Sequence, residues 1–242
     1  MIHLIFPKRC PFCADVLENA SLEICPECEK IVDRLYVIRE PVCKKCGKPL
    51  SDKQQEYCYD CKHHIRSFIN GICLFQYGHR AADMKGKDLK YHSMGESMQR
   101  FKYNGSRTYA FYYIKKLMQV HGQKLVKIKA QAIIPVPIHK KKYYKRGYNQ
   151  AEVLANELSK ALKIPVLPKF LIRAKETVAQ KELTQEQRVL NLMDGFLVPK
   201  PMAKLKRVIL IYDIYTTGAT MEACTRKLLE AVVREVYCVS IC

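Results

Sequence analysis

Two sets of residues in this sequence could do chemistry by their type and spacing. The first is eight cysteines in four CxxC pairs: Cys10/Cys13, Cys25/Cys28, Cys43/Cys46 and Cys58/Cys61. Eleven residues separate the first pair from the second, and eleven separate the third from the fourth. The pattern CxxC-x11-CxxC therefore occurs twice, offset by 33 residues, as an internal repeat. A CxxC turn places two sulfurs on one side of a tight knuckle, and a second knuckle completes a tetrahedral all-sulfur site. Pro11, Pro26 and Gly47 fall in or after the knuckles, where the chain must reverse. Pairing in sequence order is the simpler arrangement, because each loop can close on itself; crosswise pairing is the alternative. The expectation is about two structural Zn2+ ions with no open coordination position. His63 and His64, beside Cys61, could substitute as ligands, but eight cysteines already suffice. A disulfide framework is disfavoured, because the start MIHLIFPKRC is not an export signal. A thioredoxin-like CxxC would be single and set in a βαβ pattern.

The second set lies at residues 208–220, VILIYDIYTTGAT. A continuously apolar, strand-like run ends at Asp213, and a Thr-Thr-Gly-Ala-Thr segment follows before a helix. Small residues let backbone N–H groups converge on an anion. A helix N-terminus adds partial positive charge, and threonine hydroxyls donate further hydrogen bonds. The predicted chemistry is phosphate binding on Thr216, Thr217, Gly218, Ala219 and Thr220, with Asp213 placed to accept hydrogen bonds from ribose hydroxyls. The segment is not a Walker loop, lacking Gly-Lys-[Ser/Thr], nor a dinucleotide fingerprint, lacking GxGxxG.

The elements that must position these residues follow from periodicity. Residues 69–77 and 130–137 read as strands, as do 208–212 and 235–242. A helical segment over 91–103 ends at the turn signal Asn104-Gly105. From Arg107, Ala110, Tyr113, Ile114, Leu117 and Met118 recur at helical spacing. A further helix opens at Asn149, with Glu152 three residues on as in a capping box, and carries Ala151, Leu154, Ala155, Leu158, Ala161 and Leu162 on one face. The last helix starts near Met221 and buries Met221, Cys224, Leu228, Ala231 and Val232. Residues 139–147, HKKKYYKRG, read as a basic loop and residues 173–194 as a long mobile loop. Strands alternating with helices predict an α/β fold with a parallel sheet. Cys73, Cys224, Cys238 and Cys242 sit among apolar residues and read as buried small hydrophobes.

The 242 residues include 42 Lys+Arg and 23 Asp+Glu, with 48% hydrophobic and 27% charged residues, which excludes a mostly disordered chain. The cysteines and the charge divide the chain at one place, giving a double zinc-ribbon domain over 1–66 and a second domain over 67–242. Residues 1–66 carry 11 basic and 10 acidic side chains, a net of +1, so +18 of the total +19 belongs to residues 67–242. Each zinc site with four thiolates would add about −2 to the first part. Such a field attracts polyanions, either nucleic acid or a phosphate-rich small ligand. No apolar run approaches the length of a membrane span, and the expectation is a soluble, cytoplasmic protein.

Three ordered motifs give the chain a family resemblance. The segment 208–220 resembles the phosphoribosyl pyrophosphate (PRPP) loop of type I phosphoribosyltransferases. The segment 133–155, IIPVPIHKKKYYKRGYNQAEVLA, resembles the Pro-Val-Pro…Arg-Gly-Phe-Asn-Gln segment of the ComF competence family, with Tyr148 in place of Phe. The zinc-ribbon start followed by Phe101-Lys102-Tyr103 is similar to that family too, as is the spacing of Arg173, Gln180, Arg188, Asn191 and Phe196. One departure stands out: the family's PRPP loop usually begins with two adjacent acidic residues, and here the first is Tyr212, a neutral phenol.

The resemblance implies a type I phosphoribosyltransferase-like fold, PRPP or a phosphorylated ribose as ligand, and Mg2+ bound with PRPP. It implies that residues 216–220 hold the 5′-phosphate and Asp213 the ribose. Pyrophosphate would lie near the turn at 135–139, including Pro137 and His139, with Arg146 neutralising its charge. Arg173 and Arg188 would sit on a loop that closes over the ligand. Asp213, Arg146 and Arg173 are thus the catalytic candidates; the acceptor is not legible. The resemblance also implies a role in natural competence and DNA uptake. A reading of a different class is a transformation factor that binds single-stranded DNA, or the uptake machinery, without transfer chemistry. Aromatics interleaved with cations at 141–148 and 109–116 favour it, although a helix with a tyrosine-rich core face explains 109–116 equally. A third, a zinc-ribbon protein adaptor, accounts for residues 1–66 and leaves the phosphate loop idle.

Overall fold

A computed structural model describes residues 7–19, 21–77, 93–175, 184–199 and 204–242. Residues 91–92 of one expected helix and residues 176–183 of the expected mobile loop lie outside them. The chain begins with two cysteine ribbons. The first carries helix α1 (Pro26–Leu35) and the second the short α2 (Tyr59–His63), each N-capped by a cysteine, Cys25 or Cys58. Strand β1 (Asn70–Cys73) follows, then helices α3 (Met94–Tyr103) and α4 (Tyr109–Ile128) and strand β2 (Ala132–Pro135). Helices α5 (Lys140–Arg146) and α6 (Gln150–Leu162) lead to the small hairpin of β3 (Ile172–Arg173) and β4 (Phe196–Leu197), between which lies α7 (Gln185–Met193). Strand β5 (Leu205–Tyr212), helix α8 (Ala219–Ala231) and strand β6 (Val233–Ser240) complete the fold.

The main sheet has the order β1-β6-β5-β2 and every pairing in it is parallel. This is the α/β architecture expected from the alternation of elements, with helices on both faces and the Cys-rich ribbons ahead of it. Strand β5 is central, buried on both sides and therefore apolar without alternation. Ile209 and Ile211 face the core that holds Phe12, Phe101 and Tyr113. Val208 and Leu210 face the opposite one, with Phe68, Met221 and Leu228. All four are fully buried. The register brings the C-terminal ends of β5, β6 and β1 to one edge, where ligands bind in open parallel sheets.

Several local expectations are corrected. Residues 140–146 form a helix rather than a loop: His139 caps it by accepting from the Lys141 amide at 3.4 Å, and Gly147, at φ 76°, ends it. The segment 173–194 is not an irregular loop throughout. Thr184 and Gln187 make a reciprocal capping box that starts α7, which buries Val189 and Met193 one turn apart. Asn149 caps α6 through the Ala151 amide at 3.2 Å. Ala161 stays exposed, and Ala231 and Val232 are only half-buried. The tyrosines of α4 are core residues: Tyr109, Tyr112 and Tyr113 are buried, so they offer no stacking surface. The four scattered cysteines are buried as expected.

Candidate functional site

Asp213 directly follows the central strand and is 3% exposed. Its Oδ1 accepts from the Ile214 amide at 2.8 Å, and its Oδ2 lies 3.0 Å from the Lys102 ammonium. The main chain at this point is tied to the end of β6: Cys242 N donates to the Asp213 carbonyl at 3.0 Å, and Tyr215 N donates to the Cys242 carbonyl. Residues 214–218 then turn into α8. Gly218 sits at φ 78°, in the left-handed region, and is the N-cap of that helix. A Cβ at this position would lie within the van der Waals envelope of the Tyr215 ring. Glycine is therefore required here both by backbone conformation and by space. The result is a helix N-terminus with its first amides and three threonines grouped around a cavity of about 240 Å³. Lys102, Tyr77, Tyr212, Ile214, Tyr215 and Met221 complete its walls, while the Asp213 carboxylate lies behind Lys102 and does not line it. Burial pushes the Tyr212 phenol above its ordinary pKa, so it stays neutral there.

The other anticipated residues surround this cavity without lining it. Val136 N donates to the Ile211 carbonyl at 3.0 Å, which holds the Pro137–His139 stretch at the end of β2, beside the end of β5. Asn149 Nδ2 donates to the Val136 carbonyl at 3.1 Å and ties the same turn to α6. Arg146 donates from Nη1 to Gln150 at 2.8 Å and from Nη2 to the Tyr103 hydroxyl at 3.0 Å, and it stacks 4.9 Å from that ring's centre. The bond from Arg146 draws the Tyr103 hydroxyl below its usual pKa. Arg173 stacks 5.2 Å from the centre of the Phe196 ring. The charges of Arg173 and Arg146 both reach the Tyr212 phenol.

Lys102 is the site residue that residue type and spacing do not single out. It stands in the Phe101-Lys102-Tyr103 motif, in the last turn of α3, and nothing in the local pattern pairs it with a carboxylate 111 positions later. Tyr215 carries no local signal either. Its ring packs under Gly218, and its hydroxyl is buried without a hydrogen-bond partner.

The eight cysteines form two groups, Cys10/Cys13/Cys25/Cys28 and Cys43/Cys46/Cys58/Cys61, with all sulfurs of a group within 4.8 Å of one another. Pairing is therefore in sequence order. Cys25 Sγ lies 3.8 Å from both Cys10 Sγ and Cys13 Sγ, and Cys46 Sγ lies 3.6 Å from Cys58 Sγ, so the two knuckles of each group face one another. Four sulfurs so close can all be thiolates only around a cation. An all-sulfur tetrahedral donor set fits Zn2+, and four protein ligands make both centres structural.

A family model for the double zinc ribbon domain matches residues 1–62. Over 240 residues, 96% of this chain and 95% of the relative, the chain is 29% identical to "Competence protein F" of Haemophilus influenzae. It is 27% identical to "Competence protein ComFC" of Bacillus subtilis over 234 residues, 95% and 90% of the two chains. A shorter match of 108 residues, 28% identical and covering 44% of this chain and 47% of the relative, is to "DNA utilization protein YhgH" of Escherichia coli (strain K12).

Proposed function

We propose that this chain, similar over nearly its whole length to competence proteins, is a member of the ComF family and serves DNA uptake through a site for PRPP or a phosphorylated ribose. The names of its relatives support the first part. The single observation that carries the second is a buried Asp213–Lys102 ion pair beside a left-handed Gly218, at a helix N-terminus on the C-terminal edge of a parallel sheet. Lys102 lines the cavity as a cation for phosphoryl oxygens, and a ligand that draws it away from Asp213 would free that carboxylate for ribose hydroxyls. Residues Thr216, Thr217, Gly218, Ala219 and Thr220 hold the 5′-phosphate. Pro137 and His139 border the pyrophosphate, and Arg146 and Arg173 balance its charge as the bond to ribose C1 loosens. With Tyr212 neutral, Asp213 is the one carboxylate in this stretch, so a Mg2+ would be held largely by ligand oxygens and water. Mg2+ would supply charge neutralisation on the pyrophosphate. Among the described residues no helix is long and apolar enough to cross a membrane. The proposed place of work is the cytoplasm, where cysteine thiolates stay reduced and able to hold metal.

A second role, binding single-stranded DNA without transfer chemistry, is favoured by α5, where Tyr143 and Tyr144 are 47% and 82% exposed among lysines. Calorimetric titration with Mg-PRPP and, separately, with a short single-stranded oligonucleotide tests both, on the parent and on Asp213→Ala. Mg-PRPP affinity should fall about tenfold or more while strand binding stays unchanged. A parent that binds the oligonucleotide and not Mg-PRPP would leave the second role standing and remove the first.

A further inference from the structure

The second ribbon meets the rest of the fold differently from the first. Gly47, at the end of its first knuckle, lies so close to β1 that a Cβ would come within 2.7 Å of the Gly71 carbonyl oxygen. A Cβ on Gly71 would in turn come within 2.7 Å of the Cys46 carbonyl oxygen. Gly71 N donates to the Lys45 carbonyl at 2.7 Å, so this knuckle is joined backbone to backbone with the sheet edge. After Cys61 the chain runs straight into Arg66 and Ser67. Arg66, 6% exposed, donates from Nη2 to the Thr217 carbonyl at 2.7 Å. Ser67 donates its amide at 2.9 Å and its hydroxyl at 2.6 Å to Glu222, a fully buried carboxylate in the first turn of α8. Lys48, paired with Asp60 at 2.9 Å, holds its ammonium 5.2 Å from the centre of the Tyr215 ring, the ring that fills the space beneath Gly218.

We propose that the second four-cysteine centre is a positioning element for the phosphate loop, acting through Arg66 on Thr217 and through Lys48 on Tyr215, a role that presupposes the anion site proposed above. In a trans peptide the C=O and N–H point in opposite directions. Holding the Thr217 carbonyl on Arg66 therefore turns the Gly218 N–H away from the ribbon. A cluster of four thiolates around one ion keeps the knuckle bearing Lys48 and the helix preceding Arg66 at a set separation, because both knuckles ligate it. Metal at Cys43, Cys46, Cys58 and Cys61 thus preorganises backbone donors that lie in a distant part of the sequence.

The test compares Arg66→Met, Arg66→Lys and Cys58→Ser with the parent. It reads zinc content, amide hydrogen exchange of peptides covering 213–222 well below the melting temperature, and calorimetric affinity for ribose 5-phosphate. Arg66→Met should keep both zinc ions, yet exchange its loop amides about tenfold faster and bind ribose 5-phosphate about tenfold more weakly. Arg66→Lys, which retains a charged donor, should recover part of both losses. Cys58→Ser should lose one zinc and reproduce the faster loop exchange; if it does not fold, the Arg66 pair carries the test. Loop exchange in Arg66→Met equal to the parent's would overturn the positioning role. A parent that does not bind ribose 5-phosphate would instead remove the anion site, and the exchange comparison would still decide whether the second ribbon holds the loop.

Discussion

The two ribbons repeat each other at an offset of 33 residues down to their backbone conformation. Ala14 and Gly47 both sit at positive φ, 66° and 79°. Cys10 N bonds Asp15 O and Cys43 N bonds Lys48 O, each at 2.8 Å, and the isolated bridges Arg9–Val16 and Val42–Pro49 correspond. Their surroundings nevertheless diverge. The first ribbon is part of the larger core: Phe12 packs against Tyr36, Phe75 and Tyr112, and Arg100 donates to the carbonyls of Pro11 and Phe12. The second joins the other face of the sheet, with Cys43 and Cys46 in the same cluster as Tyr215 and Ala219. One metal-binding unit, duplicated, stabilises the fold in its first copy and borders the proposed functional loop in its second. The duplicated part is set by the knuckle; the divergent part is set by what the intervening side chains touch.

The largest effect that would break this contrast is on Phe12. Phe12→Ala removes a fully buried ring from the first ribbon and should cost about 3–5 kcal/mol in denaturant unfolding, with ribose 5-phosphate affinity nearly unchanged in the folded protein. A large loss of affinity at little cost in stability would reverse the roles assigned to the ribbons. Gly218→Val tests the opposite side. Strain at positive φ and the clash with Tyr215 should lower ribose 5-phosphate affinity by more than about tenfold, with both zinc ions retained. Parent-like binding would show that residues 216–220 are not the anion site. Lys116→Met sharpens the first ribbon's share. Lys116 is 6% exposed and pairs with Asp33 at 2.8 Å and Glu29 at 3.3 Å. Both carboxylates are partly hydrated, so the melt should register only about 1 kcal/mol. The smallest effect belongs to Glu186, exposed and 2.6 Å from Arg226. Glu186→Gln should change stability by less than about 0.5 kcal/mol at neutral pH. The Arg226 hydrogen bond lowers the Glu186 pKa, so this contribution is present above the ordinary carboxylate range and lost as pH falls through the lowered value. The parent and variant curves should therefore converge in acid.

Legibility in the sequence followed the range of the interactions involved. The ribbons were readable because four ligands lie within 19 residues and a tetrahedral ion accepts few spacings. Strand β5 was readable because burial on both faces demands an unbroken apolar run. Helix α7 had a local signal, Thr184 to Gln187, that its polar composition outweighed. In α5 seven mostly basic residues hid a helix whose evidence was at its ends, His139 and Gly147.

The sequence by itself determined the metal-binding unit, its duplication, the alternation of strands and helices, and the run of small residues at 216–220. Each of these depends on neighbours a few positions away, or on a period. Tertiary structure alone decided that Lys102 pairs with Asp213, that Tyr215 fills the space under Gly218, and that Arg66 reaches Thr217. Those contacts join buried groups more than a hundred positions apart in the first and last cases, and tightly packed ones in the second. Desolvation makes an unpartnered charge at such depth costly, and it is the packing of whole elements that chooses its partner.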